Sequence, residues 1–212
     1  MRPRAAQRET ARPPRVAGVA RPVAIERHWS PGELTIRPIE PRDRAAFGEA
    51  VAASRQRVIE WFPLSTPGES PETVFERQLE LTRRADERST GWRRAAFTPR
   101  GELAGCVQIF NIERGLSWSG DVSFWVAQGC TGMGVGRAML EAAARHALGP
   151  LPGGLGLHAL AADVQRDNTP ALALLARVGF RHEPSGDSKL LVNDRWLEHE
   201  RYTLHSIPAE VG

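Results

Sequence analysis

Apolar and polar positions follow two rhythms along this chain, and the places where one rhythm gives way to the other mark the elements. Leu34, Ile36 and Pro38 alternate with Thr35, Arg37 and Ile39, the pattern of an edge strand stopped by prolines. Over residues 41–62 the period lengthens: Ala46, Phe47, Ala50, Val51 and Val58 recur near helical spacing, with Asp43 where a cap or first-turn acid belongs. A second helix is predicted over 70–88, with Ser70 as N-cap, Pro71 in the first turn and an apolar stripe of Val74 with Leu81 and Phe75 with Leu79. Three β-rich runs, 91–99, 101–113 and 116–127, are parted by Pro-Arg-Gly and Arg-Gly turns and predict an antiparallel meander.

Beyond the meander the pattern predicts a glycine-fronted helix ending at Leu148, a loop over 150–156, a strand over 155–164, and a helix from Asn168 stopped by Gly179. Two closing strands follow, the last over 194–205. The order β, α, α, β, β, β, α, β, α, β, β predicts an α/β domain with a mixed sheet. No internal repeat interrupts it.

Composition changes this picture at the N-terminus. Residues 1–30 mix Arg, Pro and small residues without apolar period and cannot bury enough surface to fold alone, so a disordered arm is expected there and a folded domain over 31–212. The arm holds seven Arg against two acids, which leaves 21 basic and 23 acidic side chains in the body despite the net charge of +3. Two readings of the arm stand side by side: a weak electrostatic hook for RNA or the ribosome, and an inert leader. Nucleic-acid binding as the main activity is not expected, because no basic patch with interleaved aromatics follows the arm. No run approaches the roughly 18 apolar residues of a membrane span, and no signal peptide opens the chain, so a cytoplasmic protein without membrane contact is expected. Cys106 and Cys130 read as free thiols, and the histidines lack the spacing of metal ligands, so no metal is expected. The scarcity of lysine, Lys189 alone, reflects genome base composition and says little about function.

The stretch TGMGVGRAML places Gly132, Gly134 and Gly136 in front of a helix. Such a turn can wrap the unpaired first-turn amides around a phosphate; it can also be a tight strand-to-helix turn packed closely. No Gly-Lys-Ser/Thr follows, and GxGxG is not the dinucleotide spacing GxGxxG. A pyrophosphate ligand of another type remains.

At these residues the chain resembles a known family. FWVAQGCTGMGVGRAML with DVQRDNTPALALLARVGFRHE is similar to the core of the GNAT N-acetyltransferase superfamily over about residues 33–205. Further segments, IRPIEPRD, IEWFP, RVGF and NDRWLEHERYTL, resemble the RimJ/RimL-type ribosomal-protein-alanine acetyltransferases. The resemblance implies a mixed, mostly antiparallel sheet with a splayed central strand pair, flanked by helices. It also implies acetyl-CoA, held by Phe124, Trp125 and Val126, by the loop Gly132, Met133, Gly134, Val135, Gly136 and Arg137, and by Asn168. The Val126 N–H is the expected oxyanion donor. Thr131 stands where the family has Gln or Arg, which removes a long side chain and leaves the amides. Asn168 also reads as a plain N-cap.

Asp121 matches an acid on the family's fourth strand and shares a strand face with Ser123, so the two are the catalytic candidates, Asp121 taking the amine proton through water. Glu60, Trp61 and Glu113 are expected to border the acceptor cleft. A thiolate acid is missing from both family positions, which hold Ala171 and Leu175 here. For each of these residues an ordinary core or surface role is the competing reading. The resulting expectation is direct acetyl transfer to an amine, foremost the N-terminal α-amine of a ribosomal protein, by a monomer or homodimer. The alternatives are a small-amine acetyltransferase acting on a polyamine or an aminoglycoside-like compound, and an acyl-CoA-binding module without catalysis.

Overall fold

The computed structural model describes residues 29–61, 69–192 and 194–206, the side chains of 56–61 excepted. Four helices flank one sheet in the order β1 Thr35–Arg37, α1 Arg44–Trp61, α2 Pro71–Arg88, β2 Trp92–Phe97, β3 Leu103–Glu113, β4 Ser119–Val126, α3 Val135–Leu148, β5 Ala159–Gln165, α4 Thr169–Val178, β6 Arg181–His182, β7 Ser188–Val192 and β8 Arg195–His205. The expected order is present, with the short β6 added before the closing hairpin. The sheet runs β1-β2-β3-β4-β5-β8-β6, with β7 paired to β8. The β2–β3–β4 meander is antiparallel, and β4–β5 is the parallel pair.

Each face of the sheet is covered by one helix pair. Met139, Leu140, Ala143 and Ala147 of α3 and Leu175 of α4 are buried with Ile109, Val122 and Leu160 on one side. On the other, Phe47 of α1 meets Phe75 of α2 edge to face with ring centroids 5.4 Å apart. Ser70 caps α2 by accepting the Thr73 N–H at 3.2 Å. Asp43 stands in a short turn ahead of α1, where its carboxylate accepts two bonds from Arg37 at 2.7 Å and the Glu40 N–H at 2.8 Å.

Two expectations are corrected here. The buried stripe of α2 is Val74, Phe75, Gln78, Thr82 and Ala85, whereas Leu81 is exposed. The polar Gln78 and Thr82 face inward, where they line a cavity against the sheet that Arg93, Gln108 and Ser123 also line. Trp29 and Ser30, assigned to the arm, belong with the domain: Trp29 is buried in the core, and Ser30 bonds Glu33 across the turn that follows. The rest of the proposed arm lies outside the described residues.

Candidate active site

Strands β4 and β5 pair only at Ser119–Asp121 with Ala159–Ala161, although β4 runs on to Val126 and β5 to Gln165. Past Asp121 the two strands therefore part, and a gap opens in the middle of the sheet. The Ala127 N–H donates to the Ala104 carbonyl at 2.9 Å, and Val126 stands opposite Gly105. Alternation along an antiparallel ladder then assigns the peptide groups of Ser123 and Trp125 to β3. Those of Phe124 and Val126 point to the other edge, into the gap. Trp125 is buried and Phe124 and Val126 are half-buried.

The strand's end leads directly into the glycine loop. Fully buried Ser54 of α1 accepts the Gln128 N–H at 2.9 Å, and the Thr131 hydroxyl donates to the Gln128 carbonyl at 3.1 Å, so the turn entering the loop is held from both sides. Gly132 and Gly134 have φ of 75° and 82°, a conformation that suits glycine, and Gly134 caps α3 without a side chain. The Ala138 N–H donates to the Gly134 carbonyl at 3.0 Å, which leaves the amides of Val135, Gly136 and Arg137 without intrahelical acceptors. A Cβ on Gly132 would meet nothing within 4 Å, so the space above it is open; one on Gly136 would stand 2.8 Å from Leu174 Cδ2. The two readings of the glycines thus apply to different residues. Gly132 bares backbone, and Gly136 lets α3 approach α4.

The side chains of the loop contribute less than its backbone. The Arg137 side chain turns to Glu141, 2.7 Å away, and Met133 packs partly against the core. Asn168 caps α4, its Oδ1 accepting the Ala171 N–H at 3.3 Å, which occupies the oxygen and leaves the amide NH2 to other partners. Leu175 is fully buried, so the family's tyrosine position is core in this chain. Bare amides at a helix N-terminus beside a strand gap fit the diphosphate and the pantetheine arm of coenzyme A.

At the paired end of the gap lies an open cleft of about 380 Å³, lined by Asn111, Glu113, Ser119, Asp121 and Arg201 among others. Asp121 accepts from Arg201 Nη2 at 2.8 Å and from Asn111 Nδ2 at 2.9 Å. The same guanidinium donates twice to Asp163, at 2.9 and 3.0 Å. Burial pushes the Asp163 carboxyl above its ordinary value even though Arg201 opposes the shift. Glu113 accepts the Ser117 hydroxyl at 2.9 Å, and Ser123 accepts from Gln108 Nε2 at 2.8 Å. Asp121 and Ser123 share a face as expected, but Ser123 lines the smaller cavity under α1 and α2 rather than the open cleft. Glu60 and Trp61 stand in the last turn of α1 and not in the loop after it; their side chains lie outside the described residues.

Arg201, Asn111, Asp163, Gln108 and Ser54 were not anticipated. Arg201 lies 80 positions from Asp121, and only the β5–β8 register brings them together. Cys106 and Cys130 are free, and no group of three His, Cys, Asp or Glu among the described residues could hold a metal ion.

Residues 33–181 match the Acetyltransferase (GNAT) domain. The chain belongs to the GNAT acetyltransferase family. A curated relative, the [ribosomal protein uS5]-alanine N-acetyltransferase of Escherichia coli (strain K12), is 22% identical over 167 residues, covering 78% of this chain and 84% of its own. Among solved structures, RimJ of Mycobacterium smegmatis in complex with CoA-disulfide is 27% identical at a TM-score of 0.71, with 81% of each chain covered. The spermidine N-acetyltransferase of Vibrio cholerae with CoA and spermine has a TM-score of 0.65 at 20% identity, over 82% of this chain and 96% of that one, and shares the fold. This GNAT protein is accordingly an acetyl-CoA-dependent N-acetyltransferase of RimJ-like type. Among its described residues no helix is long and apolar enough to cross a membrane.

Proposed function

We propose that this acetyltransferase modifies the N-terminal α-amine of a protein, with ribosomal proteins as the foremost acceptors. The observation that carries the reading is the gap into which Phe124 and Val126 aim their peptide groups, opening beside a cleft with acidic side chains. Identity to RimJ and to the uS5-alanine enzyme supports the choice of acceptor.

The chemistry follows from the groups present. The amine nitrogen bonds to the thioester carbonyl carbon, the carbonyl becomes an oxyanion facing a β4 N–H, and the C–S bond breaks to release the coenzyme thiolate. No acyl-enzyme is needed. Asp121 receives the proton that the attacking amine gives up. At about 3.3 Å per residue it stands roughly 16 Å along β4 from Val126, so the proton must travel through water. Ser123 lies between the two along the strand, its hydroxyl held by Gln108 at the wall of the neighbouring cavity. With Ala171 and Leu175 at the acid positions, solvent protonates the thiolate, whose thiol has a pKa of about 8.5. Glu113 borders the path of the incoming amine.

A second acceptor class, small polyamines, is favoured by the carboxylates of Glu113, Asp121 and Asp163 near one mouth. Incubating cell extract with the enzyme and labelled acetyl-CoA, followed by mass spectrometry, separates the two. Labelled protein N-termini are expected; label confined to polyamines would replace the first reading by the second. Coenzyme A binding without amine-dependent thiol release from any acceptor would leave only an acyl-CoA-binding module.

A further inference from the structure

Between the sheet and the α1–α2 pair lies a cavity of about 30 Å³ lined by a guanidinium that pairs with no carboxylate among the described residues. Register places Arg93 of β2 beside Gln108 of β3, and Gln108 beside Ser123 of β4, in one row across the sheet; the next row is Ala95, Cys106 and Trp125. The Arg93 guanidinium donates to Gln78 Oε1 at 2.5 Å and has no carboxylate partner among the described residues. Its neighbour Arg94, by contrast, pairs with Asp86 at 3.0 Å. Burial lowers the Arg93 pKa, with Cys106 opposing the shift and the nearby Arg77 cation adding to it, and burial pushes the Cys106 thiol up to about 12, so that thiol stays neutral and supplies no counter-charge.

Two more polar groups in the cavity wall lack partners. The Trp125 indole N–H has no acceptor although the residue is only 6% exposed, and Gln108 Oε1 has no donor. A half-turn of the Gln108 amide keeps the bond to Ser123, with the hydroxyl now donating, and presents a third N–H to the cavity. Arg93, Trp125 and Gln108, the residues that carry these groups, all line this one cavity. Unpartnered buried polar atoms beside a half-buried cation that lacks a carboxylate are costly, and an anion reduces that cost. A water needs about 10–15 Å³ by this measure, so the cavity takes two small polar atoms. A carboxylate brings two oxygens.

We propose that this cavity is a carboxylate-recognition pocket for the acceptor, so that the preferred substrate carries a carboxylate close to its reacting amine. Ser123 and Trp125 flank Phe124, whose peptide group faces the gap, which sets the carboxylate about one residue from the reaction. That carboxylate can be the α-carboxylate of a free amino acid or the side chain of an Asp or Glu just behind a protein N-terminus. The selectivity rests on the acetyl-transfer reading; the binding does not.

Binding is tested by thermal unfolding in sodium acetate against sodium chloride at equal ionic strength. Acetate should raise the melting temperature of the wild type saturably and leave Arg93→Met unmoved, with Trp125→Phe between them. An equal effect of chloride, or an equal acetate shift in all three proteins, would overturn the pocket. Arg93→Met should fold, because the half-buried guanidinium pairs with no carboxylate among the described residues and Met keeps the packing of the aliphatic stem. Turnover is tested with two matched pairs, alanine against alaninamide and an Ala-Asp peptide amide against its Ala-Asn counterpart. In one pair the acid should be preferred by about tenfold or more in kcat/KM, and Arg93→Met should abolish that preference. The pair that discriminates identifies the source of the carboxylate. Turnover without any acid preference would sink the proposal, whereas an acetate shift without turnover would sink only the transfer reading.

Discussion

The glycines show how one residue type serves two purposes within five positions. Gly132 sits at positive φ beneath open space, whereas Gly136 has Leu174 and Val126 where a side chain would go. Gly132→Ala should therefore lower stability by about 1–2 kcal/mol through backbone strain alone. It should also weaken coenzyme A binding measured by calorimetry, since the new methyl enters the space above the amides. Asp121→Asn tests the proton path. A rate loss of about 10²-fold with an unchanged KM for acetyl-CoA is expected from steady-state kinetics, because Arg201 keeps Asp163 and the glycine loop is untouched. An unchanged kcat would remove Asp121 from the chemistry. Motif residues such as Gly134 and Asn168 were legible in the sequence because their roles are local: a turn, a cap, an exposed amide. Arg201 was not, because an arginine in a strand carries no local sign of its partner.

At the scale of elements, α2 and α4 mark where periodicity succeeds and where it misleads. The spacing located both helices, yet it assigned Leu81 to the buried face of α2, where Gln78 and Thr82 belong. Hydrophobicity reports which side chains prefer burial, not whether the surface opposite is polar. In α4 the buried Leu175 occupies the position where part of the family has a tyrosine. Leu175→Tyr should not supply a thiolate acid; it should overpack the core and cost about 1–3 kcal/mol, read as a lower urea midpoint with no gain in kcat. The gap between β4 and β5 is also an element-scale feature. Its place is set by where two strands cease to pair, which the sequence of either strand does not encode.

For the whole molecule, stability is linked to acid through Asp43. Burial works against its charge, but the Arg37 bonds and the Glu40 N–H together outweigh burial and hold its pKa below the ordinary value. A carboxyl with a lower pKa in the folded state stabilises above its unfolded pKa, and that contribution disappears as pH falls through the folded value. Asp43→Asn should thus destabilise the protein at neutral pH and flatten this part of the acid-unfolding profile. The N-terminus offers a second test. Removing residues 1–28 should leave the melting temperature and coenzyme A affinity unchanged. Removing 1–33 should lower both, since Trp29 leaves the core and Pro31 leaves Gly134, to which its Cγ lies close enough to bar a Cβ.

The order of strands and helices apart from β6, the caps, and the row of bare amides that opens α3 were settled by the sequence alone, since each depends on neighbours within a turn or two of chain. Tertiary structure decided where β4 parts from β5, that Asp121 and Asp163 share Arg201, and that Arg93 lines a cavity with no carboxylate partner among the described residues. These depend on strand register and on which faces meet, and a shift of one residue would turn every such side chain to the opposite side of the sheet.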